Sequence, residues 1–536
     1  MTLFLGLIAP WATAQLAGIE IKTEQKQIPV LKYKTNNPVL RIKIETTQES
    51  TLKALRVSTQ GTDDLNDISK VRLFYSGADS LFSEKQPYAR ETSPKPELLF
   101  RQALELNVGT HYFWVSYQVG DEAGLLHKVD ASLIGATFRQ GNIQVPADEA
   151  STQLRLGLAL RQHRQDGVNT HRIPGLTTSE NGTLLAVYDA RRDGGRDLQG
   201  DIDIGLNRST DRGNTWQPMQ VVLDKGTWGG LPEKFNGVSD ASILADTATG
   251  TIYVAGLWMH GVLNKDGLWI EGLTAESDAW QHQWHNRGSQ PGLGIKETSQ
   301  FLITKSTDNG LTWSEPINLT QMAKRKEWWL WAPAPGRGIV MDDGTLVFPT
   351  QGRGATGETF SNITYSQDQG KSWTTSEPAY SNTTECAVVQ LSDGRLMLNM
   401  RDNRNRDNKA ATNGRAVFTT RNMGASWEQH PTHHGALPEP TCMASLHKHP
   451  YDNGTKSVLL FSNPNSKYQR EHITVKVSFD DGMSWPEENW MLLDEGRGRG
   501  YSCLTSIDEN TIGIVYESSQ ADLVFQQIVL SELIER

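Results

Sequence analysis

The chain has 536 residues and a formal net charge of −10, and 21% of its residues are charged. This composition is typical of a globular protein, and the length predicts two or three domains. The acidic balance, without a long basic run, argues against nucleic acid as a partner. An anionic ligand would therefore need a local cluster of arginines, because the overall field of the protein repels it.

The first residues predict a signal peptide over residues 1–14. An apolar run reaches Ala12-Thr13-Ala14, which fits a small-x-small cleavage pattern, although the usual positive charges at the start are missing. No other segment is apolar and long enough to span a bilayer. We expect an exported protein without a membrane span, located in the periplasm, at the cell surface or outside the cell.

Residues 15–150 predict a smaller N-terminal β-sandwich. Apolar and polar residues alternate in segments such as Val39–Ile44 and His111–Tyr117, and turn residues separate these segments. The role of this domain stays open between carbohydrate binding and a purely structural function. The stretch Val145–Ala150 is expected to be the linker to a second domain, residues 151–536.

An octapeptide of the pattern [ST]-x-[DN]-x-G-x-[ST]-W occurs five times in the second domain. Its Asp or Asn caps a turn, its Gly takes a positive φ, and its Trp is expected to be buried under the turn. Copies about 54 to 97 residues apart predict a repeat array with about four strands per repeat, which is a β-propeller. The copies lie at residues 209–216, 306–313, 366–373, 420–427 and 478–485.

The predicted fold class is all-β, with the sandwich followed by a six-bladed propeller. The strands after the last octapeptide nearly form a sixth blade, and a strand at Leu154–Leu160 could complete it. An insertion near residues 257–297 is rich in Trp and His, including Trp258, and is expected to form a loop over the site. Its histidines match no recognised ligand spacing, so we predict no metal and no cofactor.

The three cysteines, Cys386, Cys442 and Cys503, are odd in number and widely spaced. This spacing matches no metal-binding pattern and predicts buried thiols.

The segment His171-Arg172-Ile173-Pro174 opens the repeat region. Together with the octapeptides it resembles the bacterial sialidase (exo-α-neuraminidase) family, which carries an Arg-Ile-Pro motif and several such boxes on a six-bladed propeller. The resemblance covers roughly residues 155–530, and residues 16–150 look like the extra N-terminal module of some of these enzymes. It implies an exo-α-sialidase that acts on terminal α-linked sialic acids of glycoproteins, glycolipids or oligosaccharides.

The same resemblance implies how the sugar would be bound. Arg172, Arg401 and Arg470 match the three arginines that clamp the carboxylate of sialic acid, a task that suits the planar guanidinium fork. Arg191 matches an arginine that reaches the O4 side of the sugar, and Asp240 is a candidate contact for O4 or the N-acetyl group. Glu439 is a further candidate, as support for one of the clamp arginines.

The catalytic residues implied by the resemblance are Tyr501 as nucleophile, Glu385 as its base and Asp197 as general acid and base. A carboxylate next to the anomeric carbon repels an anionic nucleophile, and a neutral phenol avoids this repulsion. Asp201 and Asp203 compete with Asp197 for the role of the acid. Tyr516 is the alternative to Tyr501.

Two other functions stay open at this point. The first is a related reaction at the same site, either transfer of sialic acid to an acceptor or formation of an anhydro sugar. The second is a propeller that binds sugars without catalysis, although such a protein has no need for a Tyr–Glu pair or an acid on a glycine-rich loop.

Overall fold

The structure is a computed structural model that describes residues 12–146, 153–195, 197, 200–228, 233–260, 289–295, 297–410 and 413–535. Strands make up 50% of the chain and helices 5%, so the prediction of an all-β chain is confirmed. Two compact units divide the chain, Met1–Ala159 and Leu160–Arg536. No helix in the described ranges is both long and apolar enough to cross a membrane.

The described part of the first unit is built from mostly antiparallel strands and one 3-10 helix at Leu65–Asp67. The last strand, β12, runs across the division between the units. The strands are β1 (Ala12–Leu16), β2 (Ile19–Glu24), β3 (Val30–Lys32), β4 (Asn37–Thr46), β5 (Ser50–Ser58), β6 (Ile68–Gly77), β7 (Glu97–Leu106), β8 (Gly109–Val119), β9 (Lys128–Val129), β10 (Ser132–Phe138), β11 (Asn142–Gln144) and β12 (Leu154–Arg161).

Two antiparallel sheets share one apolar core in this unit. The first has the strand order β1-β2-β4-β8-β6, and the second has the order β11-β10-β5-β7. Burial alternates along β2, as expected for a strand with one face toward the core. Ile42 and Phe113 of the first sheet and Leu55 of the second belong to the same buried cluster.

Part of the predicted signal peptide and linker lies outside the described residues, namely residues 1–11 and 147–150. Ala12, Thr13 and Ala14 belong to β1, which pairs with β2.

The second unit contains the remaining strands, two short helices at Thr320–Ala323 and Ser531–Ile534, and 3-10 helices at Gln165–Gly167, Glu233–Phe235, Asn403–Arg406 and Glu487–Asn489. The strands are β13 (Thr170–Thr178), β14 (Leu184–Arg191), β15 (Ile202–Ser209), β16 (Gln220–Leu223), β17 (Asn236–Asp246), β18 (Thr251–His260), β19 (Gln300–Ser306), β20 (Ile317–Asn318), β21 (Leu330–Pro333), β22 (Gly336–Arg337), β23 (Ile339–Val340), β24 (Leu346–Arg353), β25 (Thr359–Ser366), β26 (Thr374–Thr375), β27 (Tyr380–Ser381), β28 (Thr383–Gln390), β29 (Leu396–Asp402), β30 (Ala416–Thr420), β31 (Glu428–Gln429), β32 (Ser445–Tyr451), β33 (Lys456–Pro464), β34 (Ile473–Ser478), β35 (Met491–Asp494), β36 (Ser502–Asp508), β37 (Thr511–Tyr516) and β38 (Leu523–Val529).

These strands form successive antiparallel groups along the chain. Four groups are β13–β16, β17–β20, β28–β31 and β32–β35; a fifth is centred on β24–β26, and β36–β38 form the last. Each octapeptide connects two strands that pair with each other, namely β15–β16, β19–β20, β25–β26, β30–β31 and β34–β35. Apolar side chains of neighbouring groups pack together: Val187 of β14 and Ile243 of β17 lie in one buried cluster.

The octapeptides form the predicted turns. In the copy at residues 306–313, Ser306 Oγ accepts a 2.9 Å hydrogen bond from the backbone N–H of Gly310, and Thr312 Oγ1 donates to Asp308 Oδ2 at 2.5 Å. The glycine and the residue before it have positive φ in all five copies. The Trp prediction holds in part, because Trp373 and Trp485 are buried whereas the other three are half-buried.

The predicted insertion begins later than residue 257. Leu257 and Trp258 belong to β18, and both are fully buried, so Trp258 packs in the core and is not part of a loop over the site. His260 is the last residue of β18, and residues 261–288, with the remaining Trp and His residues of the insertion, lie outside the described residues. The three cysteines are free and buried, as predicted.

Candidate active site

Irregular strand pairing marks three of the residues that the sequence analysis singled out. The pairing register shifts next to Arg172 in β13, at Asp240 in β17 and at Glu385 in β28. Ile173 and Asp240 have φ values of 61° and 59°, which are unfavourable for residues with a side chain. Such bulges redirect a side chain away from the regular pleat, and local strain of this kind concentrates at functional sites.

Tyr501, Glu385 and Arg401 form one hydrogen-bonded group. The Tyr501 hydroxyl donates to Glu385 Oε1. Arg401 Nη1 donates to Glu385 Oε2 at 2.6 Å and to the Tyr501 oxygen at 3.1 Å. Tyr501 and Glu385 are 5% and 8% exposed, so the group is largely shielded from water. The structure thus brings together the predicted nucleophile, its base and one clamp arginine.

The phenol of Tyr501 is neutral in this environment. Burial and the Glu385 carboxylate raise its pKa well above 10, and Arg401 and Arg470 oppose this shift only in part. The guanidinium carbons of Arg172 and Arg470 lie 5.3 and 5.4 Å from the centre of its ring. Positive charge therefore surrounds the oxygen that would become negative when the phenol loses its proton to Glu385.

Arg172 is held by Glu517, a residue that sequence reasoning missed. Arg172 donates from Nε to Oε1 at 2.6 Å and from Nη2 to Oε2 at 3.1 Å. Glu517 also accepts from the backbone N–H of Ile173 and of Tyr501, each at 3.0 Å. Burial alone would raise the pKa of Glu517, but Arg172 and these hydrogen bonds keep it below the usual value. Glu517 fixes a clamp arginine and the nucleophile segment together.

The side chain of Arg470, the third clamp arginine, forms hydrogen bonds only to carbonyl oxygens among the described residues. Its Nη1 donates to the carbonyl oxygen of Arg499 at 3.0 Å, and its Nη2 donates to that of Thr441 at 3.1 Å. Because no described carboxylate pairs with it, its charge is available to an anionic ligand.

Arg191 and Asp197 form an ion pair at the edge of this group. Arg191 is fully buried, and its Nη2 lies 2.6 Å from Asp197 Oδ1 and 2.9 Å from Asp189 Oδ2. The Asp197 side chain is 61% exposed. Although the side chain is partly exposed, the surrounding protein desolvates its carboxyl group, which would raise the pKa of Asp197; Arg191 and Arg172 outweigh this effect and lower the pKa below 3.8.

Asp201 and Asp203, the alternative candidates for the general acid, lie next to a different arginine, Arg192. Arg192 Nη2 lies 2.5 Å from Asp203 Oδ2, and Arg192 Nε lies 3.6 Å from Asp201. Burial raises the pKa of Asp201 to about 6 and that of Asp203 to about 7, values that would suit a general acid. Position nevertheless favours Asp197, which alone of the three pairs with Arg191, and position is the first requirement for a general acid.

Asp240 is buried and accepts a 3.2 Å hydrogen bond from Gln351 Nε2. Burial, and then repulsion from Asp189, Glu385 and Asp197, raises its pKa well above 3.8. This carboxyl therefore retains its proton more strongly than an ordinary aspartate and can donate a hydrogen bond.

Two secondary candidates lie outside this group. Glu439, expected to support a clamp arginine, forms a fully buried pair with Arg415 at 2.8 Å, and it also accepts a 2.7 Å hydrogen bond from the backbone N–H of Asp402, the residue after Arg401. The hydroxyl of Tyr516, the alternative nucleophile, donates to Gln526 Oε1 at 3.0 Å. Within the part of the chain that the structure describes, no three His, Cys, Asp or Glu side chains are grouped as a metal site would require.

The chain is similar in sequence and in structure to several known proteins. The BNR repeat-like domain family matches residues 173–490, and the N-terminal domain of BNR-repeat neuraminidase matches residues 18–140. The chain is 37% identical to a sialidase of Bacteroides fragilis (strain YCH46), over 97% of this chain and 96% of that protein. It is 31% identical to a sialidase of Micromonospora viridifaciens, over 72% of this chain and 56% of that protein. The solved structure of the Hadza microbial sialidase Hz136 matches with a TM-score of 0.85 and 36% identity, over 95% of this chain and 99% of that one. The chain therefore belongs to the bacterial exo-sialidase family, the BNR-repeat neuraminidases, and is a glycoside hydrolase.

Proposed function

We propose that this sialidase releases terminal α-linked sialic acids from glycoproteins, glycolipids or oligosaccharides with retention of configuration, through a covalent tyrosyl-enzyme. The observation that carries the proposal is the neutral Tyr501 phenol, which donates a hydrogen bond to Glu385 while two guanidiniums flank its ring. A base, a buried nucleophile and surrounding positive charge are what a phenol needs to attack a carbon that carries a carboxylate.

In this proposal the sugar is bound by the clamp arginines. Arg172 and Arg401 are held in place by Glu517 and Glu385, and Arg470 adds a charge without a described carboxylate partner. Planar guanidiniums pair with a carboxylate through two hydrogen bonds, which fixes the anomeric carbon over the Tyr501 oxygen. Arg191 is assigned to the O4 side of the ring, and Asp240 to O4 or the N-acetyl group.

The first chemical step forms the glycosyl-enzyme. The Tyr501 oxygen bonds to the anomeric carbon as its proton passes to Glu385, and the glycosidic C–O bond breaks. Asp197 in its protonated form gives its proton to the departing oxygen. The ion pair with Arg191 lowers the pKa of Asp197 and so opposes its protonation. We infer that Asp197 moves away from Arg191 when substrate binds and is then protonated.

The second step releases the product. The Asp197 carboxylate takes a proton from water, and the water oxygen bonds to the anomeric carbon. The bond to Tyr501 breaks, and the phenol oxygen recovers its proton from Glu385. Two displacements at one carbon return sialic acid in its original α configuration.

We also propose a β-sandwich for the first unit and a six-bladed propeller for the second. Two sheets around one core support the sandwich. Six strand groups support the propeller. Residues of positive φ also recur in or shortly before the first strand of five groups, namely Ile173, Asp240, Asn382, Thr441 and Gly500. Export of the enzyme to the periplasm, the cell surface or the medium rests on the N-terminal apolar run.

The test is incubation of the purified protein with sialyl-lactose, followed by NMR of the products over time. We expect free sialic acid to appear first as the α-anomer. The Tyr501→Phe variant should lose roughly 10³-fold or more in kcat, whereas Tyr516→Phe, another buried tyrosine, should keep its activity. Wild-type-like turnover by Tyr501→Phe would exclude this nucleophile. An anhydro product or transfer to an added acceptor would keep the site and change the reaction.

A further inference from the structure

The segment Gly496-Arg497-Gly498-Arg499-Gly500, here called the arginine loop, leads directly into Tyr501 and has no role in the mechanism above. Both arginines are exposed, and across the described ranges neither forms an ion pair with a carboxylate. Arg499 Nη1 donates to the carbonyl oxygen of Gly195 at 3.3 Å. Arg497 has no side-chain hydrogen bond to any described residue. Arg497 and Arg499 are therefore exposed cations without a direct ion-pair partner among the described residues, four and two positions before the nucleophile.

The backbone of the arginine loop is closely packed and firmly held. The N–H of Gly498 donates to the carbonyl oxygen of Arg470 at 3.0 Å, and Arg470 Nη1 donates back to the carbonyl oxygen of Arg499 at 3.0 Å. A methyl group on Gly498 would lie only 2.6 Å from the carbonyl oxygen of Glu517, so only glycine allows this approach. The exposed guanidiniums thus extend from a fixed base that is bonded to a clamp arginine.

The arginine loop lies on the side where the leaving group must be. Gly195, which accepts from Arg499, also accepts from Arg191 Nη1 at 3.2 Å and stands two residues before Asp197. An acid that protonates the departing oxygen must be next to the sugar that leaves with it. Burial, and then repulsion from Arg172, lowers the pKa of Arg499, which agrees with a position close to the clamp.

We propose that Arg497 and Arg499 form a subsite for a second anionic group, carried by the sugar to which the terminal sialic acid is attached. Guanidiniums bind carboxylates and sulfates through paired hydrogen bonds. Two substrate classes present such a group: oligosialic acid, through the carboxylate of its penultimate residue, and sulfated glycans. With a net charge of −10 the overall field disfavours such substrates, so recognition must come from local cations. The inference rests on the proposed function, because it uses Asp197 to locate the leaving group.

The experiment compares kcat/KM on three substrates: sialyl-lactose, α2,8-linked disialyl-lactose and sialyl-lactose with a sulfate ester on the galactose. The variants are Arg497→Ala, the double variant Arg497→Ala/Arg499→Ala, and Arg499→Lys, which keeps the charge. Arg421→Ala is the matched control, because it removes an exposed arginine from an octapeptide turn, where it pairs with Asp393.

We expect the double variant to lose at least tenfold in kcat/KM on one or both dianionic substrates, and less than threefold on sialyl-lactose. Arg499→Lys, which keeps both positive charges, should lose less kcat/KM on these substrates than the double variant, and Arg421→Ala should change none of the three values. A loss confined to the disialyl substrate would identify the ligand as a carboxylate, and one confined to the sulfated substrate would identify it as a sulfate.

Equal losses on all three substrates would overturn the subsite, since they would mean that Arg499 only holds the Asp197 segment in place. Unchanged values on all three would overturn it as well. Failure of the wild-type protein to release sialic acid from sialyl-lactose is a separate outcome that would contradict the proposed function itself.

Discussion

Two of the clamp arginines owe their position to buried carboxylates. Arg172 pairs with Glu517 and Arg401 with Glu385, and both carboxylates also bind the segment of Tyr501. An isolated buried guanidinium would be costly, and a carboxylate partner removes most of that cost while fixing the fork in one orientation. The clamp and the nucleophile are therefore parts of one network, so a change in either carboxylate should affect binding and stability together.

Replacing Glu517 by Gln should weaken both the clamp and the fold. The change preserves the shape of the side chain but leaves Arg172 buried without a counter-charge, which we expect to cost about 3 kcal/mol of unfolding free energy. KM for sialyl-lactose should rise at least tenfold. The measurements are steady-state kinetics and urea unfolding.

Glu439→Gln is the matched control for Glu517→Gln, because the Glu439–Arg415 pair is equally buried, and Glu439 bonds to the backbone N–H of Asp402 but to no clamp arginine side chain. It should lose stability to a similar extent and keep KM within about threefold. An equal rise of KM in both variants would show that general loosening of the unit, and not the position of Arg172, controls binding.

The effect of Asp197→Ala should depend on the leaving group. Lactose leaves as a basic alkoxide and needs a proton, whereas 4-nitrophenolate is stable without one. We expect kcat on sialyl-lactose to fall roughly 10²- to 10⁴-fold. On the 4-nitrophenyl sialoside, the rate of the first step, measured as a burst of 4-nitrophenolate, should fall much less.

Asp203→Asn decides between the two acids. Asp203 has the higher pKa, about 7, but pairs with Arg192. If Asp203→Asn and not Asp197→Ala showed the dependence on the leaving group, the assignment of the acid would have to move to Asp203.

At the scale of the elements, the octapeptide turn is a packing device as well as a hydrogen-bonded loop. Gly310 has a φ of 76°, and a methyl group on it would lie 2.4 Å from Leu185 Cδ2, in the core between two strand groups. The glycine is therefore required twice, for the backbone conformation and for the close contact.

Gly310→Ala should cost more stability than Gly344→Ala. Gly344 has a similar φ of 85°, but a methyl group there would meet nothing within 4 Å. Both variants incur the strain of a left-handed alanine, about 1–2 kcal/mol, and only Gly310→Ala adds overpacking of about 1–3 kcal/mol. Urea unfolding of both variants measures the difference, and equal losses would show that Leu185 moves aside without cost.

The sequence predicted the turns and most of the site, because these depend on local patterns. The octapeptide fixes its own hydrogen bonds, and the resemblance located Arg172, Arg401 and Tyr501 within the repeats. Glu517 was missed because it stands 345 positions from its partner Arg172 and follows an ordinary apolar strand. Trp258 was misplaced because tryptophan suits a sugar-binding loop and a buried strand equally well, and only the pairing of β18 distinguishes them.

The second unit also contains a buried lysine that should tie its stability to pH. Lys476 on β34 is fully buried, donates to Asn463 Oδ1 at 3.0 Å, and lies 4.6 Å from the centre of the Trp490 ring. Among the described residues no carboxylate pairs with it. Burial, and then Arg415, lowers its pKa to about 7 from the usual 10.5. The folded state thus releases this proton about three pH units before the unfolded state does.

The sign of the effect follows from proton binding. Between pH 7 and pH 10 the unfolded chain holds the Lys476 proton and the folded chain does not, so this residue makes stability rise with pH. Lys476→Met should remove from the unfolding free energy a pH dependence of up to about 1.4 kcal/mol per pH unit. The variant should therefore be more stable than the wild type at pH 7, and the difference should become smaller by pH 9. Urea unfolding of the wild type and of Lys476→Met at pH 7, 8 and 9 isolates this contribution, because all other titrations cancel in the difference. Lys448→Met, a half-exposed lysine on β32, should leave the slope unchanged. A difference between wild type and Lys476→Met that stays constant over this range would show that the buried amine keeps its proton, with the Trp490 and Phe461 rings stabilising the cation in place of a carboxylate.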